Sequence, residues 1–254
     1  MCLAVIALGA HPRYPLVVAA NRDEFHARPT APAAWWDEGW LAGRDLEAGG
    51  TWLGVTRAGR VALLTNVRDP ARHDPYAPSR GTLVTRMLAD AGAPAEALAA
   101  AVADGNAHNG FNLLVGDARE AHWGSNRGGS PRALAAGVHG LSNASLDTPW
   151  PKVVCIKTAV AAWCASGGED PAALLAALAD RALAPDDALP STGVTLEWER
   201  LLSAPFIVSD RYGTRSSTVM TIDVDGHAQF IERSFDATGE PTGEVVEAFD
   251  LAGK

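Results

Sequence analysis

The stretch that decides the fold is Cys2-Leu3-Ala4-Val5-Ile6-Ala7-Leu8, the loop Gly9 to Pro15, and Leu16-Val17-Val18-Ala19-Ala20-Asn21-Arg22-Asp23-Glu24. Val5, Ile6, Val17 and Val18 favour extended backbone, and two prolines in the loop break the run. Pairing residues whose numbers sum to 24 aligns Leu8 with Leu16 and sets Cys2 opposite Arg22. The hairpin therefore predicts a cysteine at the head of one strand beside a polar cluster, Asn21 to Glu24, at the end of the next.

Cys2 follows the initiator methionine, and a small second residue favours removal of that methionine. Removal would leave an α-amine of ordinary pKa about 7.7–8.0 on the residue that carries the thiol. Such an amine can take the thiol proton, so the nucleophile brings its own base. The plainer reading is a small residue that starts a buried strand. Arg22 beside the thiol would favour thiolate, and Asp23 would hold the α-amine. Without Cys2 the two would read as a solvated charge cluster of little energetic consequence.

Outward from this hairpin, residues 25–50 read as a connection rich in Pro, Gly and Trp, with Trp35, Trp36 and Trp40 within six residues. These are either space-filling core or the apolar wall of a ligand groove. A second hairpin, Thr51–Thr56 with Arg60–Val67, ends at Asn66, and a polar loop runs from Arg68 to Arg80. Helices are expected over Gly81–Ala91 and Pro94–Ala103, the second with Pro at its first turn. A third hairpin, Phe111–Gly116 with Glu120–Gly124, precedes a short strand Val138–Ser142 that ends in Asn143. Helices follow over Trp150–Ala165 and Pro171–Ala182, with a helical turn or two at Thr195–Leu202. Strands Phe206–Val208, Ser216–Ile222 and His227–Ser234 close the chain.

The helices come in two blocks between hairpins rather than one after each strand. That excludes a Rossmann or barrel pattern. It predicts an α+β fold, a four-layer αββα sandwich of antiparallel sheets with outer helices, as one domain over residues 1–254.

The chain has 254 residues, 47% hydrophobic and 20% charged, with formal net charge -9. An acidic chain without a basic block argues against nucleic-acid binding and against docking on anionic lipid. Three cysteines, Cys2, Cys155 and Cys164, make no disulfide framework, and a reducing cytoplasmic setting is expected. Cys155 and Cys164 fall on opposite faces of one predicted helix, and no zinc motif occurs, so no metal site is expected. Leu3–Ala10 is too short to span a bilayer, so no membrane insertion is expected. Asn66 and Asn143 end apolar strands, where an amide can donate to a developing oxyanion or simply cap a turn. Arg215 leads into a late strand, where it either reaches the same centre or decorates an edge.

Met1-Cys2, Asn21-Arg22-Asp23-Glu24-Phe25, Gly43-Arg44-Asp45, Gly50-Thr51-Trp52-Leu53-Gly54, Leu64-Thr65-Asn66, Leu141-Ser142-Asn143 and Trp150-Pro151-Lys152 occur in this order over nearly the whole chain. Together they resemble the NRDE family, the transport and Golgi organization protein 2 family. That family is similar in fold to the N-terminal nucleophile (Ntn) hydrolases, which agrees with the αββα expectation. Its nearest enzymatic relatives would be the conjugated bile acid hydrolase and penicillin V acylase group. Cys2, Arg22, Asp23, Asn66, Asn143 and Arg215 match that group's catalytic positions. One spacing differs: there the Asp follows the Arg by three positions, and here Asp23 follows directly.

The resemblance brings no established reaction. It associates the chain with haem trafficking and with lipid and acyl-CoA homeostasis. Three functions stay open at this point. One is a Cys-dependent amidohydrolase of non-peptide C–N bonds that needs no cofactor. Another is a carrier of haem or an acyl lipid in a Trp-lined groove. The third is an interaction scaffold with Cys2 vestigial. Haem as cargo would need an axial ligand, and the seven histidines (11, 26, 73, 108, 122, 139 and 227) are scattered without a haem motif.

Overall fold

The computed structural model describes residues 2–128 and 130–252; of Cys2 it describes the backbone only. In chain order the elements are β1 (Cys2–Leu8), β2 (Leu16–Phe25), β3 (Thr30–Trp35), β4 (Trp40–Asp45), β5 (Leu53–Thr56), β6 (Val61–Asn66), α1 (Gly81–Ala89) and α2 (Pro94–Ala103). They continue as β7 (Phe111–Gly116), β8 (Ala121–Ser125), β9 (Arg132–Ala133), β10 (Gly137–Leu141), α3 (Pro151–Ala165), α4 (Ala173–Leu178) and α5 (Leu196–Leu201). Strands β11 (Tyr212–Ile222), β12 (His227–Phe235) and β13 (Pro241–Asp250) close the fold.

The strands form two antiparallel sheets. One runs β10-β1-β2-β11-β12-β13 and the other β3-β4-β5-β6-β7-β8-β9. Strand alternation assigns each side chain to a layer. Ala4, Ile6, Leu16, Val18 and Met220 of the first sheet meet Leu41, Leu53, Leu63 and Leu114 of the second in a core between the sheets. The opposite face of the first sheet, with Leu3, Val5, Val17 and Val219, packs on Val153, Ile156 and Val160 of α3 and Leu174 and Leu178 of α4. The opposite face of the second, with Ala62, Leu64, Leu113 and Val115, packs on Val84, Met87 and Leu98 of α1 and α2. The four layers are αββα, as the hairpin and helix-block order predicts.

The β1–β2 register is the predicted one, with Leu8 opposite Leu16 and Cys2 opposite Arg22. Other expectations change. Residues 25–50 are not an irregular connection: they carry β3 and β4, which pair with a register shift between Ala31 and Ala34. Pro32 sits at that irregularity on an edge strand, the place where a missing N–H costs no ladder bond. Phe206–Val208 is not a strand; it runs beside β11 as loop. The second helix of the later block is shorter than expected, Ala173–Leu178. A further edge strand, β13, follows β12. Trp40 fills the core under α1, while Trp35 packs against Phe249 and beneath Arg57. Trp36 donates through Nε1 to the Ala42 carbonyl and lies beneath Arg44, and none of the three tryptophans lines the cavities described below. Cys155 is exposed and Cys164 buried, so the two lie on opposite faces of α3, as predicted.

Two glycines permit a close approach that shapes one end of the sandwich. A Cβ on Gly50 would fall inside the backbone of Gly81, the first residue of α1. A Cβ on Gly43 would overlap the ring of Trp52. Gly50→Ala should therefore lower unfolding stability by about 2 kcal/mol through overpacking against rigid backbone. Gly243→Ala, whose Cβ meets nothing within 4 Å, should change stability by less than about 0.5 kcal/mol. Urea midpoints of the two variants check this.

Candidate functional site

Strand alternation splits the Asn21–Glu24 cluster between two layers. Asn21 and Asp23 face the helices, and Arg22 faces the space between the sheets. Asn21 Nδ2 donates to the carbonyls of Leu178 (2.8 Å) and Pro205 (2.9 Å), and its Oδ1 accepts from Ser217 Oγ (2.6 Å). It is a brace between the sheet, the end of α4 and the loop that follows α5.

Arg22 is only 5% exposed. Its guanidinium lies 4.4 Å from the Trp52 ring centroid, and Nη1 donates to Thr30 Oγ1 at 3.0 Å. A desolvated cation–π contact contributes about 2 kcal/mol. The absence of a Cβ at Gly43 lets the Trp52 ring lie beneath this guanidinium.

Asp23, 1% exposed, accepts from Thr214 Oγ1 at 2.8 Å. Burial raises its pKa; the charge of Lys152 and the Thr214 hydrogen bond oppose that rise. Lys152, in the first turn of α3, is itself 2% exposed. Because Asp23 follows Arg22 directly, it points to the α3 side of the sheet rather than into the same space as the guanidinium.

Asn66 and Asn143 meet each other. Asn143 Nδ2 donates to the Asn66 carbonyl at 2.8 Å, its Oδ1 accepts from Ser142 Oγ at 3.2 Å, and the Arg68 N–H donates to the Asn143 carbonyl at 2.8 Å. Beside them, Thr65 Oγ1 donates to the Ser142 carbonyl (2.5 Å) and Asn112 Nδ2 to the Ala144 carbonyl (2.8 Å). This clasp joins the end of β6 and the start of β7 to the segment after β10, so it ties one sheet to the other. Asn112 escapes the motif reading; its signal is a lone amide inside the apolar strand Phe111–Gly116.

The segment after β10 has its own anchor. Asp147, at φ +61°, accepts from the Gly140 N–H (2.9 Å) and Lys157 Nζ (2.5 Å), with His139 Nδ1 at 2.9 Å. Arg68 forms a buried ion pair with Glu199 at 2.5 Å, both side chains 4% exposed. Burial lowers the Arg68 pKa against the pull of Glu199, and its guanidinium stacks on Trp150 at 4.8 Å.

Arg215 lies at the β-bulge of β11, between Thr214 and Ser216. Its Nη1 donates to the carbonyls of Phe25, His26 and Arg28 at 3.1–3.3 Å, closing the turn after β2. Burial and the nearby Arg22 charge lower its pKa.

Arg22, Asp23 and Asn66 line a cleft of about 460 Å³ together with Trp52 and the 73–81 segment. Arg28 crosses its floor, held by Asp45 (2.7 Å) and Glu47 (2.9 Å). The register brings the backbone of Cys2 to Arg22 at the head of this cleft; the Cys2 side chain lies outside the described residues. Arg215 opens instead on a separate cavity of about 330 Å³ beyond Trp52, with the buried Glu232. Asn143 lines a third, of about 290 Å³. The structure thus gathers Arg22, Asp23 and Asn66, uses Asn143 as a brace behind them, and sets Arg215 across the Trp52 partition.

Among the described residues one group has metal-ligand spacing, Asp223, Asp225 and His227. It sits at the β11–β12 turn, where the Asp223 carboxylate accepts from the Asp225 and His227 N–H groups and pairs with Arg13. No described helix is long and apolar enough to cross a membrane.

The family model described as "Transport and Golgi organisation 2" matches residues 1–237. Among curated proteins, the Transport and Golgi organization protein 2 homolog of Bos taurus is 38% identical, over 92% of this chain and 93% of its own length. The Homo sapiens homolog is 35% identical over the same shares, and the Drosophila melanogaster protein is 28% identical over 96% and 95%. Two crystal structures of conjugated bile acid hydrolase from Clostridium perfringens, both of altered forms, superpose with TM-scores of 0.52 and 0.55. They are 9% and 10% identical and cover 100% of this chain and 93% of theirs, a likeness of fold.

Burial would raise the Asp147 pKa, but the hydrogen bonds of Lys157, Gly140 and His139 outweigh it and hold the carboxyl below its usual range. A depressed folded-state pKa adds stability above the unfolded value, near pH 4. That increment is lost as pH falls through the lower folded value. With Asp147 partly exposed, screening limits it to about 1 kcal/mol. Urea midpoints of wild type and Asp147→Asn should therefore differ at neutral pH and converge in acid.

Proposed function

The chain belongs to the Transport and Golgi organisation 2 family, and from that premise we propose that it is an N-terminal-cysteine amidohydrolase acting on non-peptide C–N bonds of small molecules. The observation that carries this reading is the register of the first hairpin. It brings the Cys2 backbone opposite Arg22 at the head of a cleft that Asp23 and Asn66 also line.

The reaction requires removal of Met1. The freed α-amine of Cys2 takes the thiol proton, and the Arg22 charge favours the resulting thiolate. The thiolate attacks the amide carbon. Asn66 and backbone N–H groups stabilise the oxyanion. The tetrahedral centre collapses with cleavage of the C–N bond, and the α-ammonium gives its proton to the departing amine. Water then adds to the thioester, releasing the acid and regenerating the thiol. Asp23 orients the α-amine from the α3 side of the sheet, and Thr214 fixes Asp23. Asn143 and Arg215 act as positioning residues, one bracing Asn66 and the other closing the turn after β2.

The cleft favours a polar ligand. Guanidinium and carboxylate groups ring it, and Trp52 is its one tryptophan. That supports an amide substrate over the haem or acyl-lipid cargo of the alternative reading. The same reading sets the protein among soluble cytoplasmic enzymes.

Intact mass of the protein from its native host should show loss of Met1. Incubation with a panel of N-acyl amino acids should release free amine and leave a transient, hydroxylamine-labile acyl adduct on Cys2. Cys2→Ala should lower turnover at least about a thousandfold. Retained Met1, or amine release undiminished in Cys2→Ala, would overturn the mechanism.

A further inference from the structure

Across the Asn66–Asn143 clasp from the main cleft lies the cavity of about 290 Å³ that Asn143 lines. Its lining differs in character from the rest of this acidic chain. It includes two guanidinium groups, Arg68 and Arg127, the hydroxyl residues Ser145 and Ser191, and the Trp150 ring, with no carboxylate among the described lining residues.

Both arginines are held from behind. Glu199 pairs with Arg68 Nη1 at 2.5 Å, and Asp69 stands 3.6 Å from Arg127 Nε. Arg68 is almost fully buried, yet its Nε has no hydrogen-bond acceptor among the described residues, and neither does Arg127 Nε. Those Nε–H groups are shut off from the cavity as well, so an entering oxyanion would meet the terminal nitrogens of the two guanidinium groups. Trp150 fixes the plane of Arg68 by stacking, so these donors are ordered before any ligand arrives.

We propose that this cavity is a subsite for the terminal oxyanion of a small molecule, a carboxylate, sulfonate or phosphate. In one respect the inference rests on the cleft reading. A ligand with its reacting carbonyl at the cleft head would send its anionic end over the clasp to Arg68 and Arg127. Oxyanion binding itself stands without any turnover.

The test is titration of the full-length protein with inorganic phosphate, sulfate and acetate at ionic strength held constant with chloride, followed by amide chemical shifts. Saturable shifts confined to residues 143–145, 191–192 and the Trp150 indole are expected, with dissociation near the millimolar range, as suits donors already facing acids. The preferred anion identifies the head group. Arg127→Gln should weaken binding at least about tenfold, and Ser191→Ala should weaken it less. Arg44→Gln, whose guanidinium stacks on Trp36 elsewhere, should leave it unchanged. Shifts that do not saturate, that spread over the surface, or that persist in a folded Arg127→Gln protein would overturn the subsite. Because Cys2 chemistry is not read in this experiment, its failure leaves the amidohydrolase reading standing, and the reverse also holds.

Discussion

Two stacked sheets share an apolar core, but an apolar core does not fix how their ends face each other. Here that is done by polar contacts between side chain and backbone. Asn143 on the Asn66 carbonyl, Thr65 on the Ser142 carbonyl and Asn112 on the Ala144 carbonyl join the sheets where β6, β7 and β10 leave their ladders. Carbonyls that leave a ladder while buried must find donors or carry a penalty of about 1–3 kcal/mol each. The two sheets meet that need for each other, so the end of the sandwich is set in one arrangement. The cleft, the first-hairpin head and the third cavity are all placed by this contact.

The same end shows how one strand serves two layers. Asn21 binds the helix-side loops, Arg22 stands between the sheets on Trp52, Asp23 returns to the α3 side with Thr214 and Lys152, and Glu24 reaches the cleft. A period of two forces this division. It also explains why an Asp directly after the Arg cannot share its space. Arg22 and Asp23 therefore stand on opposite faces of β2, with the head of β1 beside them.

The first hairpin was legible because two apolar runs of matched length flank a proline-containing loop, which leaves one register that buries both. The four-layer order followed from helices arriving in pairs. Strands β3 and β4 were hidden because Pro32, Gly39 and Gly43 look like breakers. In three dimensions Pro32 sits at an edge irregularity, Gly39 takes φ +94° at the turn, and Gly43 makes room for Trp52. Strand β13 was hidden because its exposed polar alternation carries little apolar signal, as suits a solvent-facing edge. Of the site, the strand-end asparagines were visible as positions but not as partners. Which carbonyl an amide meets depends on the packing of two sheets, and no local pattern encodes that. The Arg68–Glu199 pair spans 131 residues and was invisible for the same reason.

The charge distribution adds a last constraint on what this end of the molecule can hold. Over the whole chain acids outnumber bases, 30 to 21, yet three arginines at this end are individually fixed: the buried Arg22 by Trp52 and Thr30, the buried Arg68 side chain by Glu199 and Trp150, and the half-buried Arg215 by three carbonyls. Burying a guanidinium costs several kcal/mol unless its donors are met. A chain that needed only a stable sandwich would do as well with apolar residues at those places. Three separately braced guanidinia around one strand end, in an acidic protein, are hard to account for as packing. Under the proposed function they are preorganised charge, set where a thiolate, an oxyanion or an anionic ligand group would otherwise have to wait for solvent to reorganise.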